Sequence, residues 1–238
     1  MLNKLGKLLK YEFRFYFRIL PPIYMIIILI AIAARFQGFT ANNYLMPEKF
    51  LLIMLLGAII IAMFVITIIL VIQRYTDNFM KDAGSLMFSL PVTVWALLAS
   101  KVIAAFCMIL FGFLSIVVST VIHSIGTENW DFILSFIPNN NAKNIILSAA
   151  AAFSGLLEQI CLFYAVITIS YMLPRFRILA AFAMYFFAMY LTEQISFRFI
   201  GRSMTDAMSL INILPSLIFA AIFFCITGFL LKRSYNLE

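Results

Sequence analysis

Two neighbouring polar residues, Glu158 and Gln159, interrupt the apolar run Ile145–Tyr171 near its middle. A carboxylate is costly in hydrocarbon, so such a residue faces the protein interior or water, pairs with another group, or is held in its neutral form. The functional interpretation is a polar anchor for a substrate or a gating contact in a transport pathway. The alternative is a satisfied hydrogen bond between helices, and the sequence leaves both open.

Small residues recur on one face of the same run. Ser148, Ala152, Gly155 and Gln159 are spaced three or four positions apart. Small side chains let two membrane helices approach closely, so this face predicts a packing surface for another helix. Glu158 flanks it.

The other reactive residue types form no catalytic or metal-binding pattern. A phosphate-cradling loop requires Gly-x-x-x-x-Gly-Lys-Ser/Thr, and the only Gly-Lys pair is Gly6-Lys7. The single histidine, His123, lacks partners for a hydrolytic triad or a zinc site. The three cysteines lack metal-ligand spacing. We therefore expect neither enzyme activity nor a bound metal or cofactor in this chain.

These polar residues belong to a very apolar chain. Of its 238 residues, 65% are hydrophobic and 11% are charged, whereas a soluble domain is about half apolar and about a quarter charged. Such a chain lacks the polar surface that a soluble fold needs. The composition therefore excludes a soluble enzyme, a disordered chain and a nucleic-acid-binding domain, despite the net charge of +7.

Six apolar segments predict six transmembrane helices. A helix needs about 20 residues to cross the hydrocarbon core, and its backbone groups must be paired internally. The segments are Ile23–Phe36, Phe50–Ile72, Trp95–Ile122, Ile145–Tyr171, Ile178–Ile195 and Ile211–Leu231. The first is short unless it includes residues 16–22. The predicted fold class is all-α integral membrane, with residues 1–238 forming a single transmembrane domain.

The distribution of basic residues predicts the orientation. If both termini lie inside, twelve of the 17 Lys and Arg residues are on the inner side. The five on the outer side are Arg35, Lys49, Lys143, Arg198 and Arg202. This excess of positive charge favours a multi-pass protein of the plasma membrane with both termini in the cytoplasm.

Residues 1–20 are predicted to form an amphipathic helix at the membrane surface. Its apolar face carries Leu2, Leu5, Leu9, Phe13, Tyr16 and Leu20. Its basic face carries Lys4, Lys7, Lys10, Arg14 and Arg18. Such a helix suits the inner leaflet, where the basic face meets anionic headgroups; the alternative is that it only fixes orientation. We expect Pro21-Pro22 to end it, because a residue before proline disfavours the helical conformation.

The loop 73–94, between the second and third spans, is the most informative stretch. It is polar enough to leave the membrane. Within it, Asp82–Leu90 is predicted to form a short helix ending before Pro91, and Thr93 is predicted to cap the third span. A short exposed helix with apolar side chains suits a groove in a soluble partner. The alternative is a helix that rests on the headgroups.

This loop resembles a known family. The segment Asp82-Ala83-Gly84-Ser85-Leu86-Met87-Phe88-Ser89-Leu90-Pro91-Val92-Thr93, followed by Trp95 and Lys101, is similar to the corresponding loop of ABC-2-type transporter permeases. Asp82 stands where glutamate is common in that family, and Val94 where a basic residue often follows. The basic N-terminal helix and six spans are similar too.

The resemblance implies a particular set of partners. The loop becomes a coupling helix that seats in a separate ATP-binding subunit, where ATP and Mg are held. The candidate contacts with that subunit are Asp82, Gly84, Ser85, Leu86 and Met87. A second permease copy or a homologue completes the transport pathway.

The function that the resemblance implies is that of the membrane subunit of an ABC exporter. The 26 Phe and 13 Met suit large, variable apolar ligands. We therefore expect export of an amphipathic or hydrophobic compound, with a peptide of toxin or antimicrobial type first, then drugs or lipids. The alternatives are a channel or secondary transporter, a membrane enzyme, and an immunity or sensor protein that binds a peptide without moving it. The single central acid and the absence of a repeat disfavour a secondary transporter.

Overall fold

The computed structural model describes residues 2–36, 47–80, 92–125, 130, 142–173, 176–200 and 208–234. Six long helices account for nearly all of these residues, and the described ranges contain no strand. The helices are α1 (Leu2–Phe36), α2 (Pro47–Phe79), α3 (Val94–Ser124), α4 (Ala142–Met172), α5 (Arg177–Ile200) and α6 (Met208–Ser234).

Each of these helices is long and apolar enough to cross a membrane. Every apolar segment predicted from the sequence lies within one of them. The prediction of an all-helical protein with six candidate spans is therefore confirmed for the described part of the chain. We conclude that this is a multi-pass membrane protein.

The chain divides into two compact units. The larger unit contains α4, α5 and α6 with the C-terminal end of α2 and the N-terminal part of α3. In it, α4 packs more extensively against α6 than against α5. The smaller unit contains most of α1 and α2 and the C-terminal half of α3.

Helix α1 is longer than the sequence predicted. The prediction that Pro21-Pro22 ends the first helix is wrong, because α1 continues through both prolines. A proline lacks an N–H, so the carbonyls of Phe17 and Arg18 lose their helical donors. A continuous buried stripe outweighs this loss. Its members lie on both sides of the prolines and are Tyr16, Leu20, Tyr24, Ile27 and Ala31.

In the smaller unit, the middle of α1 packs against the middle of α3. The Tyr24 hydroxyl donates a hydrogen bond to the Met108 carbonyl over 3.0 Å, and the Phe17 and Phe111 rings meet edge to face at 5.9 Å. Gly112 has no side chain to obstruct Tyr24, whose hydroxyl lies 3.6 Å from the position of a Cβ there. The prolines, between Phe17 and Tyr24, therefore lie level with the middle of the candidate span on α3.

Helix α2 also extends beyond its predicted end. Gln73–Phe79 were assigned to the loop 73–94, but they are helical. A buried stripe explains the extension: Met63, Thr67, Val71, Tyr75 and Phe79 recur every four residues and are all buried. Helix α3 begins at Val94, directly after Thr93, whose carbonyl accepts the N–H groups of Ala96 and Leu97. The predicted cap position is therefore correct.

Candidate functional site

Glu158 lies at the middle of α4 and is 9% exposed. The Ser216 hydroxyl on α6 is within hydrogen-bonding reach of its carboxyl group. Ser216 follows Pro215, which lies inside α6 and removes one N–H from the helical ladder. The acid is thus paired with a hydroxyl at the point where the backbone bonding of α6 is interrupted.

Gln159 joins α4 to a different helix. The Tyr185 hydroxyl on α5 donates a hydrogen bond to Gln159 Oε1 over 3.0 Å. The Tyr185 ring also stacks on Phe163, one turn further along α4, with 4.7 Å between centroids and 13° between planes. Glu158 and Gln159 therefore connect α4 to α6 and α5 respectively, and form a polar junction of three helices in the larger unit.

Within the described part of the chain, the small-residue face of α4 is largely uncovered, and only Gln159 on it contacts another helix. Ser148 and Ala152 are exposed, and a Cβ added at Gly155 would meet nothing within 4 Å in the described part of the chain. The buried face of α4 instead contains Ser154, Glu158, Cys161 and Ala165. Glu158 belongs to the packing face because Ser216 gives its carboxyl a partner there, which a carboxyl buried in a membrane helix requires.

Tyr75 makes a second polar connection to α4. Its ring stacks on Tyr164, with centroids 4.2 Å apart and planes 11° apart, and its hydroxyl lies 2.6 Å from the Thr168 hydroxyl. Thr168 donates its only hydroxyl hydrogen to the Tyr164 carbonyl, so Tyr75 must be the donor to Thr168. Tyr75 thus contacts two residues one turn apart on α4, with its hydroxyl toward the C-terminal end of that helix. Tyr185 also contacts two residues one turn apart on α4, but its hydroxyl lies toward the N-terminal end.

Other polar groups are buried near the C-terminal end of α2 in the larger unit. Lys101 is 2% exposed, and its ammonium group lies 5.8 Å from the centroid of the Phe79 ring, a distance that allows a cation–π attraction. Asn78 is also buried, and its Nδ2 has no hydrogen-bond partner among the described residues. The sequence counted Lys101 among the inner basic residues but gave no sign of its burial.

Trp95 anchors the start of α3 against α6. Its indole packs against the rings of Phe224 and Phe229, with centroids 5.8 and 5.7 Å away. It also covers Gly228 so closely that an added Cβ would lie 2.6 Å from its Cη2 atom. Only glycine fits beneath the indole.

The contacts of Tyr75, Lys101 and Trp95 fix the arrangement of helix ends in the larger unit. They bring together the C-terminal ends of α2, α4 and α6 and the N-terminal part of α3. The start of α5 lies at the same end, because the Arg177 guanidinium lies 5.3 Å from the Tyr171 ring centroid. From α2 to α6, consecutive helices therefore run in opposite directions, as in a chain that crosses a membrane repeatedly.

The predicted partner contacts fall outside the described residues. These are Asp82, Gly84, Ser85, Leu86 and Met87. Of the predicted basic face, Lys7, Lys10, Arg14 and Arg18 are exposed on α1, whereas the side chain of Lys4 lies outside the described part. The structure thus brings Glu158 and Gln159 into one site and leaves the loop contacts as predictions.

Sequence reasoning missed Tyr75, Tyr185, Ser216 and the Trp95–Gly228 contact. The signal for Tyr75 was present, because the four-residue stripe of α2 continues past Ile72 to Phe79. The other pairings join residues far apart in the chain, and nothing local specifies them.

The polar junction consists of hydrogen-bonding groups. Within the described ranges, no group of three or more His, Cys, Asp or Glu residues is placed to hold a metal ion. The junction instead offers a carboxyl, an amide and two hydroxyl groups among apolar surroundings, a combination that orients a ligand or holds helices together.

No family model, curated protein or solved structure matches this chain.

Proposed function

We propose that this protein is the membrane-spanning permease subunit of an ATP-driven ABC exporter. It carries no nucleotide site of its own in this proposal, and a separate subunit binds ATP and Mg. The observation that carries the proposal is the loop between α2 and α3, which resembles the coupling loop of ABC-2-type permeases. Asp82, Gly84, Ser85, Leu86 and Met87 are the proposed contacts with the ATP-binding subunit.

The geometry on both sides of this loop supports the proposal. A loop that receives force from a partner needs ends that are firmly attached to the membrane helices. Tyr75 attaches the preceding helix to α4 through a stack and a hydrogen bond. Trp95 attaches the following helix to α6 through two ring contacts and the Gly228 surface.

The proposed pathway includes Glu158 and Gln159. Six spans are half of a typical two-part pathway, so a second copy or a homologue lies beside this chain in our proposal. The polar junction gives an otherwise apolar route one place to recognise a polar group. An amphipathic peptide, with apolar side chains and a polar backbone, fits this combination best.

The orientation in this proposal follows from charge. Both termini and the loop after α2 lie in the cytoplasm of a cell whose plasma membrane holds the protein. Arg177, Lys232 and Arg233 are exposed and belong to the helix ends that the larger unit brings together. Their charge suits the cytoplasmic side of the bilayer.

The experiment is ATP hydrolysis by the purified complex in proteoliposomes, with candidate peptides, drugs and lipids added separately. We expect an amphipathic peptide to stimulate hydrolysis more than either other class. Stimulation by lipids or drugs alone would replace the peptide as the proposed substrate but would still support an ATP-driven exporter. Peptide binding without any change in hydrolysis or in transport would instead favour an immunity or sensor protein.

A further inference from the structure

The two ends of the loop between α2 and α3 are attached to two different helices, which pack against each other. Tyr75, shortly before the loop, holds α4 through Tyr164 and Thr168. Trp95, shortly after the loop, holds α6 through Phe224, Phe229 and Gly228.

Helices α4 and α6 also pack against each other, more extensively than either packs against α5. At mid-helix this contact includes Glu158 and Ser216. Thr168 and Glu158 are ten residues apart on α4, or about 15 Å along a helix axis. A displacement of the loop ends relative to one another therefore acts on the α4–α6 contact, and through it on the Glu158–Ser216 pair.

We propose that Tyr75 and Trp95 are positioning residues that transmit the state of the loop to the polar junction of Glu158 and Gln159. This inference rests on the proposed function, because the ATP-binding subunit would supply the force that moves the loop. The contacts of Tyr75 and Trp95 belong to this chain alone. Tyr75 is suited to the role because it makes two separate contacts with α4, a ring stack and a hydrogen bond from its hydroxyl. A change at the loop then moves α4 as a rigid element.

In this proposal, Trp95 transmits a displacement of the start of α3 to α6 through direct contact. Its indole lies against a glycine backbone, so there is no flexible side chain between α3 and α6 to absorb a small displacement. Packed contacts of this kind respond by repacking and not by gradual deformation. Opening or closing of the loop ends is thus expected to separate or compress α4 and α6.

Cys161 provides a reporter for this movement. It is a free, buried cysteine on α4 that lies on the same face as Glu158. Replacing Cys107 and Cys225 by serine leaves Cys161 as the single thiol. Its rate of reaction with N-ethylmaleimide then measures how often the buried face of α4 opens.

The first arm uses the purified chain alone. Tyr75→Phe keeps the ring stack and removes the donor to Thr168, so we expect Cys161 to react about threefold faster, the factor for one interhelical hydrogen bond in a membrane. Thr168→Val in the same chain should add little, because both changes remove one shared interaction. Tyr190→Phe is the matched control, since Tyr190 is 60% exposed on α5. A Tyr75→Phe rate equal to that of the control would overturn the inference.

The second arm separates transmission from packing. In the complex with the ATP-binding subunit that co-purifies with the chain, MgATP should change the Cys161 reaction rate. Tyr75→Phe should reduce this change by half or more while the subunit still co-purifies at the wild-type level. A wild-type response to MgATP in Tyr75→Phe would overturn transmission through Tyr75. If no such subunit co-purifies, the proposed function fails, whereas the first arm still tests whether the Tyr75 hydroxyl keeps the buried face of α4 closed.

Discussion

The Trp95 indole lies directly against Gly228, so that α3 and α6 meet in the larger unit without a side chain between ring and backbone. The contact occurs at the start of α3, where the chain returns from the loop. The contact depends on one glycine, so a single substitution at that position tests it.

We predict that Gly228→Ala destabilises the protein. The added methyl group overlaps the indole, and overpacking of this kind costs about 1–3 kcal/mol. Gly57→Ala is the matched control, because a Cβ at that helical position meets nothing within 4 Å among the described residues. Both variants gain the same helix propensity, about 1 kcal/mol, so their difference isolates the clash.

The measurement is thermal unfolding of the detergent-solubilised chain. Gly228→Ala should lower the Tm, and Gly57→Ala should leave it unchanged or raise it. Adding Trp95→Leu should restore part of the loss in Gly228→Ala by removing the ring. Equal Tm values for the two alanine variants would contradict the described packing.

Hydropathy alone predicted the six helices, because runs of apolar residues long enough to cross a bilayer have few other stable conformations. The ends of the helices were less predictable. We ended the second span at Ile72 because Gln73 and Arg74 are polar, yet one face remains buried as far as Phe79. Periodicity of a face, and not mean polarity, marks the end of that helix.

Local rules also failed at Pro21-Pro22. Two missing N–H groups raise the cost of a helix at that point, but the stripe from Tyr16 to Ala31 gains burial on both sides. Packing across the whole helix therefore decides its continuity. The prediction from the proline pair considered only the local cost.

The candidate site was predicted in part. Glu158 and Gln159 were identifiable because an acid and an amide are rare at mid-span. Their partners were not, since Ser216 and Tyr185 are ordinary polar residues whose positions depend on helix packing. The Tyr75–Thr168 bond joins residues 93 positions apart, and a single sequence contains no information on such a pair.

The pairing of Glu158 with Ser216 leads to a second prediction. Glu158→Gln should preserve assembly and Tm, because an amide also accepts a hydrogen bond from the Ser216 hydroxyl. Glu158→Leu should lower stability by about 0.6–2 kcal/mol, the range for interhelical bonds in membranes. Ser216→Ala should add little in the Leu background, where the shared interaction is already lost.

Transport separates a structural from a functional role for Glu158. Substrate-stimulated ATP hydrolysis is compared for the Gln and Leu variants in one lipid preparation. Loss of stimulation in Glu158→Gln, with assembly intact, would indicate that the charge contacts a cationic group of the substrate. Wild-type activity and Tm in both variants would contradict any role of Glu158 in the pathway or in packing.

The basic face of α1 leads to a third prediction. Changing Lys4, Lys7 and Lys10 to Glu should weaken contact with the anionic leaflet, where each basic residue contributes about 1 kcal/mol. Transport should fall more than expression does. The same three positions changed to Gln should give an intermediate result, because the attraction is lost without repulsion.

Spin labels at Leu5 and Lys7 measure the placement directly. We expect the label at Leu5 to be shielded from water and the label at Lys7 to be exposed, since the two positions lie on opposite faces of the predicted amphipathic helix. Equal water exposure at both positions would exclude the membrane-surface placement of this helix.

The most direct test of the central claim is recovery of an ATP-binding subunit with the tagged chain from its native membranes. We predict that the wild-type chain recovers such a subunit, and that Leu86→Asp with Met87→Asp loses it while still inserting in the membrane. Asn236→Asp with Leu237→Asp adds similar charge near the C-terminus and should retain it. Failure of the wild-type chain to recover any ATP-binding protein, or wild-type recovery by the Leu86 and Met87 double variant, would contradict the account.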